Sequence, residues 1–318
     1  MMRYLYSLIL CSVILWAGAT DTDIVPYGVD GRSYMKIRIL DQKSLSYSNI
    51  SGHHFSEISD LAYDRKKDLL YMLSDEGKYF IFDAKFGESI SELKPLSAVK
   101  LVKKNGHDFR KWRHDSEGMT IDSNGRLIIS FEEQAKIGRF DSRGRMVKSY
   151  RLPRKLFNIK NYRSKNKSLE SVLIHPNYGI LTASEYPLKS SGRKEQTIYS
   201  LTGKEWHFKA ENATSSAVVS MELMDDKNLL ILERAYSGLA NPVVITLKKV
   251  WLKKCKRKSK KKSLCQSEVL AQFSSGEGWS VDNFEGLTRV GKNRYLMVSD
   301  DNDNFFQRTL LIYFEVTE

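Results

Sequence analysis

Short apolar runs, each closed by a polar turn, recur along most of this chain. Five segments share one order: a short strand, a turn, an apolar strand ending in an acid, then a further strand. They open at 58–64, 116–122, 169–172, 219–222 and 284–288. Their second strands lie at 70–75, 127–132, 180–185, 229–233 and 295–300. Between first and second strands stand turn signals such as Ser123-Asn124-Gly125, Asp225-Asp226-Lys227-Asn228 and Gly291-Lys292-Asn293, residue types that tolerate reversed backbone dihedrals. No amphipathic helical period accompanies them. Strands this short, repeating at this distance, predict an all-β chain of four-stranded propeller blades. The fifth repeat ends at 310–316, one strand short, while 34–40 is a strand with no blade of its own. Pairing the two closes the ring and removes exposed sheet edges. The expectation is therefore a five-bladed β-propeller, with a sixth, diverged blade within 250–273 as the alternative.

Aligning the repeats stacks polar residues in two columns. The first holds Ser59, Glu117, Glu170, Ser220 and Glu285; the second holds Asp75, Glu132, Glu185, Glu233 and Asp300. The first strand of a blade lines the channel, so equivalent positions converge at one end of the axis. Carboxylates crowded there raise one another's pKa or recruit a cation. Oxygen donors from several strands suit Ca²⁺ first and Mg²⁺ second. The expected metal ligands are Asp115, Glu117, Glu170, Glu185, Glu285 and Asp300. The competing reading is structural, with these acids capping turns or pairing with Arg139, Arg234 or Arg308. Two stretches are richer than the repeat requires: Arg113-His114-Asp115-Ser116-Glu117-Gly118, and Ser299-Asp300-Asp301-Asn302-Asp303-Asn304. The second resembles a calcium loop but lacks the Gly and terminal Glu of an EF-hand, and an Asx-rich surface turn is its other reading.

Asp115-Ser116-Glu117-Gly118, Glu185-Tyr186-Pro187, Asn283-Phe284-Glu285-Gly286-Leu287 and Ser299-Asp300-Asp301-Asn302 resemble the phytase-like "esterase-like activity of phytase" family of exported bacterial proteins. The resemblance runs from about Ile58 to the C-terminus. It implies a propeller and hydrolysis of phosphoesters or esters.

The N-terminus sets the expected compartment. Arg3, an apolar run to Trp16 and Ala17-Gly18-Ala19 form the three parts of a signal peptide over 1–19. This leaves 20–318 as one propeller domain, exported to the periplasm or secreted, and no later segment is apolar enough to span a membrane. Cys255 and Cys265 then remain as a disulfide pair. The net charge of +13 is concentrated: ten Lys or Arg and no acid lie within 248–262. With the cysteines, this suggests a stapled basic hairpin at 248–266 standing off the body. It either docks to an anionic surface or serves as a solvated loop tip.

No G-x-S-x-G elbow, H-E-x-x-H or Gly-rich phosphate loop occurs. Hydrolysis would thus be metal-assisted, with Glu117 as acid or base beside His114 and Arg113. Arg113, Arg234 and Arg308 would hold an anionic oxygen bidentately. The expected ligand is a phosphorylated or ester small molecule, bound by a monomer. The alternative is a non-catalytic binding propeller docked through its hairpin. Nucleic acid ranks third, because the basic run carries a single aromatic, Trp251, rather than regularly interleaved ones.

Overall fold

The computed structural model describes residues 18–30, 33–110, 114–211, 215–236, 238, 241–259 and 262–317. Most of the expected signal peptide 1–19, Arg113, and Lys260 and Lys261 of the basic run lie outside the described residues.

The chain enters through β1 (Ala19–Asp21) and β2 (Ile37–Leu45), then a small hairpin, β3 (Asn49–Ile50) and β4 (His53–His54). Blade one follows as β5 (Ile58–Asp64), β6 (Leu69–Ser74), β7 (Lys78–Phe86) and β8 (Ile90–Lys100). Blade two is β9 (Ser116–Ile121), β10 (Leu127–Phe131), β11 (Lys136–Phe140) and β12 (Met146–Tyr150). Blade three is β13 (Leu169–His175), β14 (Gly179–Ser184), β15 (Glu195–Ser200) and β16 (Glu205–Lys209). Blade four is β17 (Ser216–Leu223), β18 (Leu229–Ala235), β19 (Val244–Ser259) and β20 (Lys262–Ser274). Blade five is β21 (Asn283–Gly291), β22 (Arg294–Asp300) and β23 (Thr309–Val316), completed by β2 from the other end of the chain.

Closure is therefore by the N-terminal strand, in antiparallel register from Ile37↔Val316 to Leu45↔Thr309. The strand starts three residues later than the apolar pattern suggests. Tyr34 instead makes an isolated bridge to Ile37 and stacks its ring on Phe273 and Trp279.

The inner strands β5, β9, β13, β17 and β21 contact one another in turn, and β21 returns to β5. A buried apolar cluster fills each junction between blades. Leu73, Tyr79 and Phe131 lie between blades one and two, and Ile128, Leu169 and Tyr199 between two and three. Trp206, Phe208 and Ile231 lie between three and four, Phe273, Phe284 and Ile312 between four and five, and Phe80, Leu296 and Leu311 between five and one. β5 is buried at every position, because the blades hem it in on both sides.

The sixth-blade alternative is overturned. The described residues of 250–273 belong to β19 and β20, which pair with each other and, through β18, with blade four. Nor does the base of the hairpin stand off the body as expected. Leu264 bridges to His207 of β16, the Trp206 indole N–H donates to the Leu252 carbonyl at 3.1 Å, and Cys265 is buried against blade three. The Cys255–Cys265 disulfide is formed.

Candidate metal centre at the acidic mouth

Every inner strand starts at one face of the propeller and every second strand ends there. In each blade the pairing of these two strands is interrupted by a bulge at that face: between Ile58 and Asp60, at Glu117-Gly118, between Leu169 and Ser171, between Val218 and Ser220, and between Phe284 and Gly286. A bulge bends the strand and re-aims a side chain. The structural equivalents are therefore Ser59, Glu117, Glu170, Val219 and Glu285 in the inner column. In the outer column they are Asp75, Glu132, Glu185, Arg234 and Asp300.

This register corrects the sequence alignment in blade four. There Val219 replaces the expected Ser220, and Arg234 replaces the expected Glu233. The fourth blade thus contributes a cation where the other four contribute an acid. Arg234 binds Glu285 and the Asn283 side-chain carbonyl with Nη1, and reaches Glu185 with Nη2 at 3.2 Å. Burial acts against its charge, but Glu285 and Glu185 outweigh burial and hold it protonated. Expected to bind substrate, Arg234 instead neutralises the ring from within. Glu233 turns outward to Lys248, 2.8 Å away, and to the Ser216 hydroxyl.

Glycine follows the ring acid in repeats two and five for a steric reason. A Cβ on Gly118 would lie 2.6 Å from the Ser171 Cα, and one on Gly286 would lie 2.8 Å from the Asp60 Cα. Only a bare backbone lets the neighbouring inner strand approach so closely.

Around the mouth the acids fall into two linked groups. Oxygens of Asp115, Glu117 and Glu132 lie within 4.8 Å of one another, and so do oxygens of Glu132, Glu170 and Glu185; Glu132 belongs to both. Burial lifts Glu117 well above the usual carboxylate range, and Glu170, Asp115, Glu285 and Asp75 add to it. Burial likewise raises Glu132 and Glu170, which share a hydrogen bond, as do Asp115 and Glu117. Two carboxyl groups can share one only if one of them keeps its proton. Burial also pushes Asp75 up to about 8, helped by Glu57, and Asp300 up to about 9, helped by Glu285. Asp115, Glu117, Glu132 and Glu170 thus form a dense set of oxygen donors that resist ionisation, the donor set a hard divalent cation relieves.

The structure divides the remaining expected residues. Glu185 is held by Lys167 at 2.8 Å as well as by Arg234, and Glu285 is engaged by Arg234. His114 turns Nδ1 toward the Asp75 carbonyl at 3.4 Å, beside the ring. The Arg308 guanidinium donates to the Ser280 carbonyl and hydroxyl at 3.2 and 2.9 Å, and among the described residues it forms no ion pair with the ring acids. Asp300 accepts the Asn302 N–H at 2.8 Å, and Asp301 accepts from Glu57, Asp303 and Thr309. The stretch that resembled a calcium loop is thus an Asx-rich turn whose oxygens are occupied by nearby backbone N–H groups and by the side chains of Thr309, Asn283 and His54.

Asp60 was not singled out by the repeat. Buried across the axis, it accepts the N–H groups of Met119 and Leu287 and the Ser220 hydroxyl at 2.7, 3.0 and 3.0 Å, linking four blades. Burial pushes it up to about 8. The sequence signal was an acid one place after the column in repeat one alone. Lys167 lies outside the repeat, so no periodicity pointed to it.

The family described as "Phytase-like: Esterase-like activity of phytase" matches residues 53–303. No curated protein sequence matches the chain. Solved structures with similar backbones include a putative gluconolactonase, at 11% identity over 92% of this chain and 95% of that one, TM-score 0.43. The aldose sugar dehydrogenase of Streptomyces coelicolor, in its PQQ-bound form, is 10% identical over 88% of this chain and 98% of its own, TM-score 0.45.

Proposed function

From the premise that this chain belongs to the phytase-like family, described as having esterase-like activity of phytase, we propose that it is a metal-assisted hydrolase of phosphoesters or esters working at its acidic mouth. The observation that carries the reading is Glu132, shared by two groups of three carboxylates. Ca²⁺ is the first choice and Mg²⁺ the second, because every donor is a hard oxygen. The bound cation supplies charge neutralisation at a substrate oxygen and a more acidic water.

The chain's own residues then divide the work. Lys167 and Arg234 neutralise Glu185 and Glu285, so relief by a cation is left to the blade-two side, around Asp115, Glu117 and Glu132. Without a cation, burial and Glu170 raise Glu117; as the acid or base of this reading it would give a proton to the leaving oxygen and take one back from water. His114 stands at the edge of that group, and Arg113 precedes it in sequence as the cation for a substrate anion. The ligand is a phosphorylated or esterified small molecule, and the working unit is a monomer. Residues 1–19 as a signal peptide and the Cys255–Cys265 disulfide support an exported protein, periplasmic or secreted. Among the described residues no helix is long and apolar enough to cross a membrane.

The test is metal analysis of the purified protein, then hydrolysis of p-nitrophenyl phosphate and p-nitrophenyl acetate with Ca²⁺ or with chelator. Ca²⁺-dependent turnover is expected with one of them. Glu117→Gln should lower kcat by roughly 10²–10⁴-fold with little change in KM, as for loss of a general acid. Bound Ca²⁺ without turnover of either ester would favour the second reading, a non-catalytic binding propeller. The ion pairing of Arg234 inside the ring is the observation in favour of that reading.

A further inference from the structure

The basic run takes no part in the acidic mouth, and the structure splits it into two parts. Lys248 and Lys249 are buried: the first is held by Glu233, Glu211 and the Lys209 carbonyl, the second by Asp226 at 3.1 Å. They are ion pairs internal to blade four, so the part of the run expected to face a surface is shorter than 248–262. Beyond Leu252 the character changes. Lys253, Lys254, Lys256 and Arg257 are all exposed, and in sequence the run continues through Lys258 without an acid.

Where the ribbon leaves the propeller it is held firmly. The Leu252 carbonyl accepts from Trp206, and its N–H donates to the Asn228 side chain at 3.3 Å. Three residues on, the disulfide ties the strands together. The cations are therefore presented on a fixed support, which reduces the entropy lost when they bind.

Topology sets the direction in which they point. Inner strands start at the acidic face, so the turn between the third and fourth strands of a blade lies on the opposite face. The β19–β20 tip thus extends away from the acids. It shares that far face with the exposed Lys204 of the β15–β16 turn and Lys227 of the β17–β18 turn. The two acids of the β17–β18 turn, Asp225 and Asp226, are paired with Arg289 and Lys249. Charge is thus separated along the propeller axis, acidic at one mouth and basic at the other end.

We propose that Lys253, Lys254, Lys256 and Arg257 dock the protein onto an anionic phospholipid surface, with the acidic mouth turned away from it and open to solvent. Lipid suits these residues better than nucleic acid. The exposed set is mainly lysine, a point charge that needs no bidentate partner, and no aromatic is interleaved among the four for base stacking. Cations on both faces of a thin ribbon fit a planar field of headgroups rather than a groove.

The test is flotation of the purified protein with phosphatidylcholine vesicles and with vesicles in which about a third of the lipid is phosphatidylglycerol. Binding to the anionic vesicles alone is expected, weakening as salt shortens the reach of the charges. Replacing all four residues by Gln should lower the partition on the order of 10²–10³-fold, about fivefold per cation, with melting unchanged. A dye on Thr202→Cys, on the far face, should be quenched by a headgroup quencher, whereas one on Phe305→Cys, in the exposed β22–β23 loop of the acidic face, should not. Equal partition of the variant and the wild type overturns the proposal, as does retention on duplex DNA without vesicle binding. The reverse quenching pattern overturns the orientation. None of these readouts depends on catalysis, so they stand or fall apart from the hydrolase reading.

Discussion

At the scale of single residues, the ring is governed by one exception. Four blades place an acid at the end of the second strand, and the fourth places Arg234 there. Removing its charge would leave Glu285 without the ion pair it makes with Arg234, and Glu185 with its pair to Lys167. Breaking a buried pair from one side is strongly destabilising, so Arg234→Met should cost about 3–5 kcal/mol in a urea titration. Adding Glu285→Gln to that variant should restore part of the loss, because the stranded charge is then gone. If the two changes were simply additive, Arg234 would not be acting as a counter-ion. Ser220 and Glu233 were misplaced by one position because a bulge adds a residue to one strand and not its partner, and no hydrophobic pattern records that.

At the scale of elements, the β19–β20 hairpin departs furthest from its expected behaviour. Ten residues closed by a disulfide suggested a projecting loop whose stabilisation stays local. Instead, Cys265 and Leu252 pack with Trp206 in the junction between blades three and four, and β20 touches β16. Replacing both cysteines by Ser should therefore lower the global unfolding free energy by about 2–3 kcal/mol, the loop-entropy expectation. Calorimetry of the whole domain would read this as a lower melting temperature. An unchanged midpoint would mean that the hairpin melts independently of the blades. The turns between first and second strands, by contrast, were legible from Gly, Asn and Asp alone, since reversed dihedrals are a local requirement.

At the scale of the whole molecule, closure and charge decide stability. β2 pairs along the length of β23 with one bulge between Ile39 and Asp41, and Ile24 and Ile37 are wholly buried in the junction of blades four and five. Deleting residues 18–45 should abolish cooperative unfolding by circular dichroism, because it opens the ring and exposes an edge. A truncated protein with an unchanged thermal midpoint would contradict closure. The acids add a pH dependence. Asp60 and Asp75 at about 8 and Asp300 at about 9 lie far above the value of about 4 for an unfolded aspartate. The folded state binds more protons across that span, so this stabilisation is complete below about pH 4 and is lost as pH rises toward 9. In chelator, the melting temperature should fall between pH 5 and pH 9. Calcium should oppose the fall, by about 2.7 kcal/mol at a hundred times its dissociation constant and more strongly at pH 9 than at pH 5. A flat profile in chelator with no calcium effect would retire the metal reading.

The amino-acid sequence by itself determined the repeat, the five blades, the closing of the ring by its two ends, the disulfide and the gathering of acids at one mouth. Each follows from short-range alternation, turn chemistry or recurrence at fixed spacing, which a linear pattern carries. The tertiary structure alone decided which acids meet and which are neutralised. Glu132 joins two groups of carboxylates, Asp60 crosses the axis, and Lys167 and Arg234 hold Glu185. Except for Lys167–Glu185, which lies within blade three, these contacts join different blades across bulges, so they depend on register and on closure of the ring, and these exist only once all five blades have packed.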